Sequence, residues 1–312
     1  MRVLVAGSSG VIGRQLVPVL QEAGHEVVGL ARTAHPSTAE IVKVDALDRQ
    51  AVVRAVRNTR PDAIVNMLTA IPKRIAPKRL AQDFELTNRL RVVGTENLLA
   101  AAAEVGVGRI VAQGLAYAYE PLGHGLADED TPLWLDPPKP FMPVLDALKK
   151  LERATLGAGG TVLRYGHLYG PGTSYAADGS FVQQVRDRQV PLVGGGAATF
   201  SFTHTVDAAT AVQAVLETGH TGVFNVVDDD PAPMSEWLPY LASTLGAPEP
   251  RRAPAFLARW AVGPWGVAFM TRLRGADNAR AQRILGWKPS YRSWRTGFSA
   301  ELGTTTTPAD SA

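Results

Sequence analysis

A glycine-spaced turn near the start of the chain is the feature that most constrains its fold. Val3-Leu4-Val5 has the pattern of a buried strand, and a helical pattern over residues 12–20 begins just after the turn. Glycine tolerates the φ angles of a tight turn and lets backbone N–H groups approach a phosphate. A helix N-terminus adds unpaired donors and a partial positive charge. The sequence therefore predicts a dinucleotide site at Gly7, Ser8, Ser9, Gly10, Val11, Ile12 and Gly13, with a purely structural turn as the alternative.

The end of the second apolar run indicates which dinucleotide this site would prefer. An NAD site places Asp or Glu there to bind the ribose 2′-hydroxyl, whereas this chain has Leu30-Ala31-Arg32-Thr33. Arg32 can pair with a 2′-phosphate through charge-assisted hydrogen bonds, and Arg14 is a second candidate. We therefore expect NADP(H) to be preferred over NAD(H). The alternative is that Arg32 is an ordinary solvated surface residue.

Apolar runs and helical patterns alternate through the first half of the chain. Strands that are apolar throughout and separated by helices are typical of a parallel sheet covered on both faces. The pattern predicts an α/β fold with a doubly wound parallel sheet of the Rossmann type. The further runs that support it are 27–30, 41–44, 63–68, 109–112 and 161–164, with helical patterns at 49–59, 80–103 and 141–157.

The composition of the sequence changes after Arg164, where the predicted loops become rich in Gly and Pro. A strand pattern at 223–227 and helical patterns at 206–217 and 234–245 follow. We expect a smaller, discontinuous C-terminal substrate domain beside the NADP-binding domain. The predicted boundaries are 1–165 and 204–228 for the NADP-binding domain, 166–203 and 229–303 for the substrate domain, and 304–312 for a disordered tail.

Composition excludes several classes of function. The chain has no Cys, and its six His lack metal-ligand spacing, so we expect no metal site. A net charge of +3 is too small to argue for nucleic acid, and no apolar run is long enough for a membrane span. We expect a cytoplasmic protein with a small-molecule substrate, and a homodimer is left open. For the apolar run 260–271 we favour a core or dimer helix over a lid or a membrane-surface patch.

Several motifs together resemble the extended short-chain dehydrogenase/reductase superfamily, of the NAD-dependent epimerase/dehydratase type. The motifs are Gly7-x-x-Gly10-x-x-Gly13, Gly94-Thr95-x-Asn97, the segment Arg164–Gly172 and Leu285-Gly286-Trp287-Lys288-Pro289. The resemblance implies that the segment after strand three contacts adenine and that the end of strand four lines the cofactor. The residues it implies at these two places are Asp45 and Ala46, and then Leu68, Thr69 and Ala70.

The chain departs from this family at the residues that usually carry catalysis. The family uses a Tyr and a Lys four residues later, but alignment on Glu152 puts Val144 and Leu148 at those two positions. The usual serine pair is replaced by Gly114 and Leu115, and the family's helical Asn by Arg91. The chain therefore resembles an atypical branch that lacks the Tyr-x-x-x-Lys pair and the catalytic Ser.

Three other residues are candidates for direct contact with the reactants. Tyr117 follows strand five and could donate a proton or clamp the substrate, with an aromatic wall as the alternative. His167 could be an acid or base with a pKa near neutrality, or a hydrogen-bonded structural residue. Gln113 could bind cofactor or substrate, or simply satisfy the strand end.

These observations favour an NADP(H)-dependent oxidoreductase that acts on a small carbonyl or C=C compound. Sugar-nucleotide members of the family carry an Arg where this chain has Phe200, so we expect a partly apolar substrate that is not a nucleotide. The alternative is a protein that binds NADP(H) without net redox turnover, either an isomerase or cyclase or a sensor of redox state. The missing Tyr, Lys and Ser favour that alternative.

Overall fold

The computed structural model describes residues 1–33 and 35–303, so the predicted tail at 304–312 lies outside the described residues. Thirteen strands are described: β1 Arg2–Ala6, β2 Glu26–Ala31, β3 Glu40–Lys43, β4 Ala63–Asn66, β5 Arg109–Leu115, β6 Thr161–Tyr165, β7 His167–Tyr169, β8 Leu192–Val193, β9 Thr199–Phe200, β10 Phe202–His204, β11 Gly222–Val226, β12 Ala232–Pro233 and β13 Arg252–Ala253. The α-helices are α1 Val11–Glu22, α2 Arg49–Thr59, α3 Leu80–Asp83, α4 Glu85–Arg89, α5 Thr95–Val105, α6 Met142–Gly157, α7 Ser180–Arg186, α8 Thr205–Thr218, α9 Met234–Thr244, α10 Ala255–Thr271 and α11 Trp294–Leu302. Short 3₁₀ turns lie at Pro77–Arg79 and Lys139–Phe141, and π turns at Leu90–Gly94 and Ala281–Leu285.

Seven parallel strands form the central sheet in the order β11-β6-β5-β4-β1-β2-β3. β1 pairs on one side with β2, where Val5 lies opposite Gly29, and on the other with β4, where Val5 lies opposite Val65. Because all the strands run the same way, their carboxyl ends meet at one edge of the sheet. The predicted doubly wound parallel sheet is confirmed.

Helices cover both faces of the sheet, and the alternation of side chains along β1 shows how. Val3 and Val5 point into a core with Leu16 of α1 and Val212 of α8. Leu4 points the other way, into a core with side chains of α2 and α5. Two buried faces explain why these strands are apolar at every position rather than at alternate ones.

A third core, rich in aromatic side chains, lies under the C-terminal part of the chain. Its largest members include Phe200, Phe202, Trp237, Trp294 and Phe298, all fully buried. Three small two-stranded sheets, β10-β7, β12-β9 and β13-β8, accompany it. The return of β11 to the central sheet agrees with the chain path that we expected for 204–228, and the division into two domains stays a prediction.

Two helical patterns differ from the expectation. The stretch 80–103 is not one helix: α3 and α4 are followed by a π turn at Leu90–Gly94 before α5 begins. The apolar run 260–271 belongs to a longer helix, α10, that is kinked at Gly263, where φ is 72°. Beyond the kink Trp265 stacks on Phe141 at 4.0 Å between ring centroids, as a core helix should. Before the kink, Trp260 is exposed although Ala258 and Val262 pack in the core, so this arm is only partly a core helix, and the dimer interpretation stays a prediction.

Within 1–33 and 35–303, no helix is long and apolar enough to cross a membrane. The same residues contain no group of three His, Asp or Glu side chains placed to hold a metal ion.

A buried ion pair joins the sheet to α6. Arg164 of β6 donates through Nε and Nη2 to the two carboxylate oxygens of Glu152, at 2.9 and 2.7 Å. Nη1 of Arg164 reaches the Tyr119 hydroxyl at 2.9 Å, and that hydroxyl donates to Oδ1 of Asn225 in β11 at 2.6 Å. The network therefore holds α6 and β11 in register with the sheet.

Breaking this pair on one side should destabilise the fold strongly. We expect Arg164→Met to lower the free energy of unfolding by about 3–5 kcal/mol, because it leaves the buried Glu152 carboxylate without its two charge-assisted hydrogen bonds. Arg164→Met with Glu152→Met should lose less than the single variant. Urea unfolding measures both, and Arg57→Met, in an exposed pair with Glu104, is the control, with a loss of at most about 1 kcal/mol. A double variant no better than Arg164→Met would contradict this account.

Candidate active site

The glycine turn brings the backbone of β1, β4 and α1 closer together than side chains would allow. Gly7 has φ of 88°, and a β-carbon on it would lie 2.6 Å from the Met67 carbonyl oxygen. A β-carbon on Gly13 would lie 2.3 Å from the Gly7 carbonyl oxygen. Gly10 precedes α1, and no side chain of the described residues caps that helix. The helix N-terminus is thus bare, as an anion site requires.

The residues of this turn fit a dinucleotide. Ser8 is buried, and its hydroxyl has no hydrogen-bond partner within the part of the chain that the structure describes. The carbonyl of Ser9 accepts from Nε of Arg14 at 2.9 Å, which fixes the outer side of the loop. Val11 begins α1, and Ile12 packs into the core beneath it. A bound phosphate would supply the acceptors that the bare backbone donors lack.

Hydrogen bonds from β4 and two neighbouring helices fix the segments expected to contact the rest of the cofactor. The Ala46 carbonyl accepts from Nδ2 of Asn97 in α5 at 2.9 Å. The Leu68 amide donates to Oδ1 of Asn66 at 3.2 Å, and the Ala70 amide to Oγ1 of Thr87 at 3.0 Å. Asn66 and Thr87 are positioning residues that the sequence reasoning missed, since neither falls in a motif with a defined role.

Two other predicted cofactor residues lie at the same edge. The Asp45 carboxylate, just after β3, accepts from the Leu47 amide at 3.0 Å and is otherwise exposed. Thr69 follows Leu68 and is half-buried.

The side chains of the two arginines considered for a 2′-phosphate differ in their hydrogen bonds. Arg32 directly follows β2 and is exposed, with no side-chain hydrogen bond to any residue in 1–33 or 35–303. Arg14 is also exposed, but its Nε is held by the Ser9 carbonyl. Arg32 is therefore the better placed of the two to receive a new anionic partner.

Gly114 lies too close to the buried ion pair to carry a side chain. A β-carbon on Gly114 would lie 2.9 Å from Cγ of Arg164 and 3.1 Å from Oε1 of Glu152. The buried ion pair thus occupies the space that a side chain there would need. On α6, Val144 and Leu148 are fully buried in the aromatic core, and their correspondence to the family's Tyr and Lys stays a prediction.

Aromatic rings line the site beyond β5 and β6. The Tyr117 ring stacks on His167 with centroids 4.5 Å apart, and His167 lies 4.2 Å from Phe200 and 5.4 Å from Phe269. The Tyr117 hydroxyl makes no hydrogen bond to any described residue. Burial raises its pKa, and the nearby charge of Arg91 acts in the opposite direction. Tyr117 therefore remains a proton donor rather than a phenolate.

His167 does not have the neutral-range pKa that we expected from the sequence. Burial among aromatic rings lowers its pKa to about 3, so the imidazole is uncharged at neutral pH. Nδ1 lies 3.3 Å from the Ser201 carbonyl, which requires the proton on Nδ1. Nε2 then carries a lone pair, and it has no partner among the described residues. His167 can accept a hydrogen bond, but it does not supply a positive charge.

Arg91 is the least expected feature of the site. It lies in the π turn, its side chain is 2% exposed, and neither Nε nor Nη1 has a partner in 1–33 or 35–303. Glu152 is the carboxylate whose charge acts on it, yet both oxygens of Glu152 already bind Arg164. Two buried cations thus share one anion. Gln113 adds another buried donor, Nε2, without a partner among the same residues. Such donors call for a ligand oxygen.

The low pKa of His167 predicts a specific dependence of stability on pH. The unfolded imidazole has a pKa near 6.5, so protons bind the unfolded chain more tightly and the folded state loses stability as pH falls below that value. Between pH 7 and 5 this costs about 2 kcal/mol. His167→Gln should remove this part of the slope, measured by urea unfolding at both pH values. Equal slopes for the two proteins would show that His167 is not buried and neutral.

The chain is similar to known proteins over most of its length. The sequence profile of the NAD dependent epimerase/dehydratase family matches residues 3–226. A 3-diazoavenalumate denitrifying reductase from Streptomyces sp is 46% identical over 306 residues, covering 96% of this chain and all of that protein. A 2-alkyl-3-oxoalkanoate reductase from Stenotrophomonas maltophilia is 26% identical and covers 84% of this chain and 81% of that protein.

Solved structures show the same fold. UDP-glucose 4-epimerase from Thermotoga maritima, with UDP-glucose, superposes with a TM-score of 0.76 at 21% identity over 97% of both chains. A dTDP-glucose 4,6-dehydratase from Streptomyces venezuelae, with NAD, gives 0.75 at 23% identity over 97% of this chain and 96% of the other. The family match covers more than half of the chain, and the first relative extends over nearly all of it. This chain is an enzyme of the NAD(P)-dependent oxidoreductase class and belongs to the NAD dependent epimerase/dehydratase family.

Proposed function

We propose that the chain is an NADP(H)-dependent reductase of a small, partly apolar acceptor and that it works without the Tyr, Lys and Ser set. The observation that carries the proposal is the 46% identity, over the full length, to a reductase. The intact glycine turn supports the cofactor, and the apolar face of α6 supports the altered catalytic set. Bound at this turn, the cofactor supplies a hydride from its nicotinamide ring.

The acceptor that fits this site best is one whose reduction needs no proton from a general acid of the protein. The sequence favours a carbonyl or C=C compound, and the name of the 46% relative adds a diazo compound. A reduced carbonyl becomes an alkoxide that needs a proton. An aryl diazo compound in its diazonium form would instead take the hydride at the carbon that bears nitrogen, and the C–N bond would break to release neutral dinitrogen, so no proton is needed. The second kind of acceptor fits a site where Val144 and Leu148 replace the acid and its cation.

The buried guanidinium of Arg91 favours a substrate that carries a negative charge. Both relatives are named for carboxylates, an avenalumate and an oxoalkanoate. An acidic group on the substrate would satisfy the two buried donors of Arg91 that lack partners. Tyr117 would close over the same group or donate the proton that a carbonyl acceptor requires. His167, with Phe200 and Phe269 around it, would exclude water.

The cofactor preference has a direct test. Arg32→Ala should weaken NADPH binding by about 1.5–3 kcal/mol, because a charge-assisted bond to the 2′-phosphate is lost. NADH binding should hardly change. Calorimetric titration of both nucleotides measures this, with Arg54→Ala, exposed on α2, as the control. Equal losses for NADPH and NADH would exclude Arg32 as the phosphate partner.

The role of Arg91 has its own test. Arg91→Gln should lower kcat/KM for a carboxylate acceptor about 10- to 150-fold, as expected for a lost hydrogen bond to a charged group. The affinity for NADPH should stay the same, and Arg91→Lys should recover part of the activity. A matched neutral amide acceptor is the control. If the variant loses the same factor on acid and amide, Arg91 does not bind the acidic group.

Transfer of deuterium separates the reductase from its alternative. With NADPH labelled at C4, we expect deuterium in the product of a carbonyl, enone or diazo acceptor, found by mass spectrometry. The alternative, a sensor or a non-redox isomerase or cyclase, is favoured only by the missing catalytic set. It predicts tight NADPH binding with no label transferred across the panel.

A further inference from the structure

Two segments outside the site form one exposed surface that is both apolar and basic. They are residues 71–79, which follow β4, and residues 251–262, which include the first arm of α10. They meet at the kink of α10: a β-carbon on Gly263 would lie 3.3 Å from Cγ of Lys78, and one on Gly266 3.2 Å from Cβ of Pro77. We name the exposed side chains of these two segments the basic apolar face.

The apolar part of this face is large and unusually exposed. Trp260 is 82% exposed, Phe256 71% and Leu257 55%, while Ala258 between them is buried. Ile71 and Ile75 of the other segment are also exposed. Isolated exposed apolar residues are common, but five on two adjoining segments with a tryptophan among them are typical of an interaction surface. Tryptophan favours the boundary between water and lipid in particular.

The charge of the face has one sign. Residues 71–79 and 251–262 contain seven of the 32 Lys and Arg residues and none of the 29 Asp and Glu residues. The rest of the chain therefore carries more acidic than basic side chains, although the whole chain has a net charge of +3. Arg79, the last residue of the first segment, forms an ion pair with Asp83 at 3.9 Å, and Asp83 itself lies outside the segment. Lys73, Arg74, Arg252 and Arg259 are exposed.

We propose that the basic apolar face binds the surface of an anionic phospholipid bilayer, with the first arm of α10 lying in the interface. Apolar side chains flanked by Lys and Arg are the features of helices that bind there. A second copy of the chain is disfavoured as the occupant, because it would bring two faces of the same positive charge together. No helix of the described residues is long enough to span, so the contact is peripheral.

The same helix connects this surface to the site. Beyond the kink, Trp265 stacks on Phe141, and Phe269 lies against His167 in the aromatic wall. The two arms of α10 would therefore lie between the bilayer surface and the aromatic wall. An apolar acceptor that leaves the bilayer would pass along them to the site. The binding itself does not depend on the proposed reductase activity.

Co-sedimentation with vesicles tests the proposal. The protein should sediment with vesicles of phosphatidylcholine and phosphatidylglycerol at 3:1, and much less with phosphatidylcholine alone or in 0.5 M salt. Trp260→Ser with Phe256→Ser should lower the partition coefficient at least tenfold, and Arg252→Glu with Arg259→Glu similarly. Leu156→Ser and Arg54→Glu, exposed on α6 and α2, are matched controls that should bind as the wild type does.

Circular dichroism and NADPH affinity check that each variant is folded. The proposal is overturned if the wild type ignores the anionic vesicles, or if the variants of the face bind like the controls. It is also overturned if Trp260→Ser changes the mass on gel filtration while no protein binds vesicles, because the face would then join two copies of the chain.

Discussion

The close approach of β1, β4 and α1 at the glycine turn is the constraint on which the rest of the structure depends. The β-carbons that Gly7 and Gly13 lack would meet backbone atoms at 2.6 and 2.3 Å, and backbone cannot move aside as a side chain can. This approach sets α1 against the sheet and leaves its N-terminus bare at the edge where all seven parallel strands end. A site for phosphate follows from packing, before any reaction is considered.

Around this turn the chain keeps the family's scaffold and changes the chemistry beside it. The pair Arg164–Glu152 fixes α6 to the sheet and fills the space that a side chain at Gly114 would need. The face of α6 then packs into an aromatic core instead of presenting an acid and its cation. A shared fold does not by itself imply a shared reaction, because the reaction depends on the side chains at the site.

The buried positive charge at the site belongs to Arg91, in the π turn. Arg91 is buried there with donors that lack partners among the described residues, while the histidine expected to titrate near neutrality is held uncharged by its aromatic neighbours. One buried cation, one neutral imidazole and a wall of aromatic rings are the features on which we base the proposal of a partly apolar, acidic acceptor. The same aromatic wall continues along α10 to an exposed basic surface.

The sequence by itself determined the doubly wound sheet, because strands buried on both faces must be apolar throughout and glycine spacing reports backbone contact. It also predicts a cofactor site at the glycine turn and the absence of the Tyr, Lys and Ser set, and both stay predictions. Only the tertiary structure decided the charge state of His167 and the isolation of Arg91, because both depend on which side chains surround them. The π turn that breaks 80–103 and the kink that divides α10 were likewise invisible, since each arises from packing between segments distant in the chain.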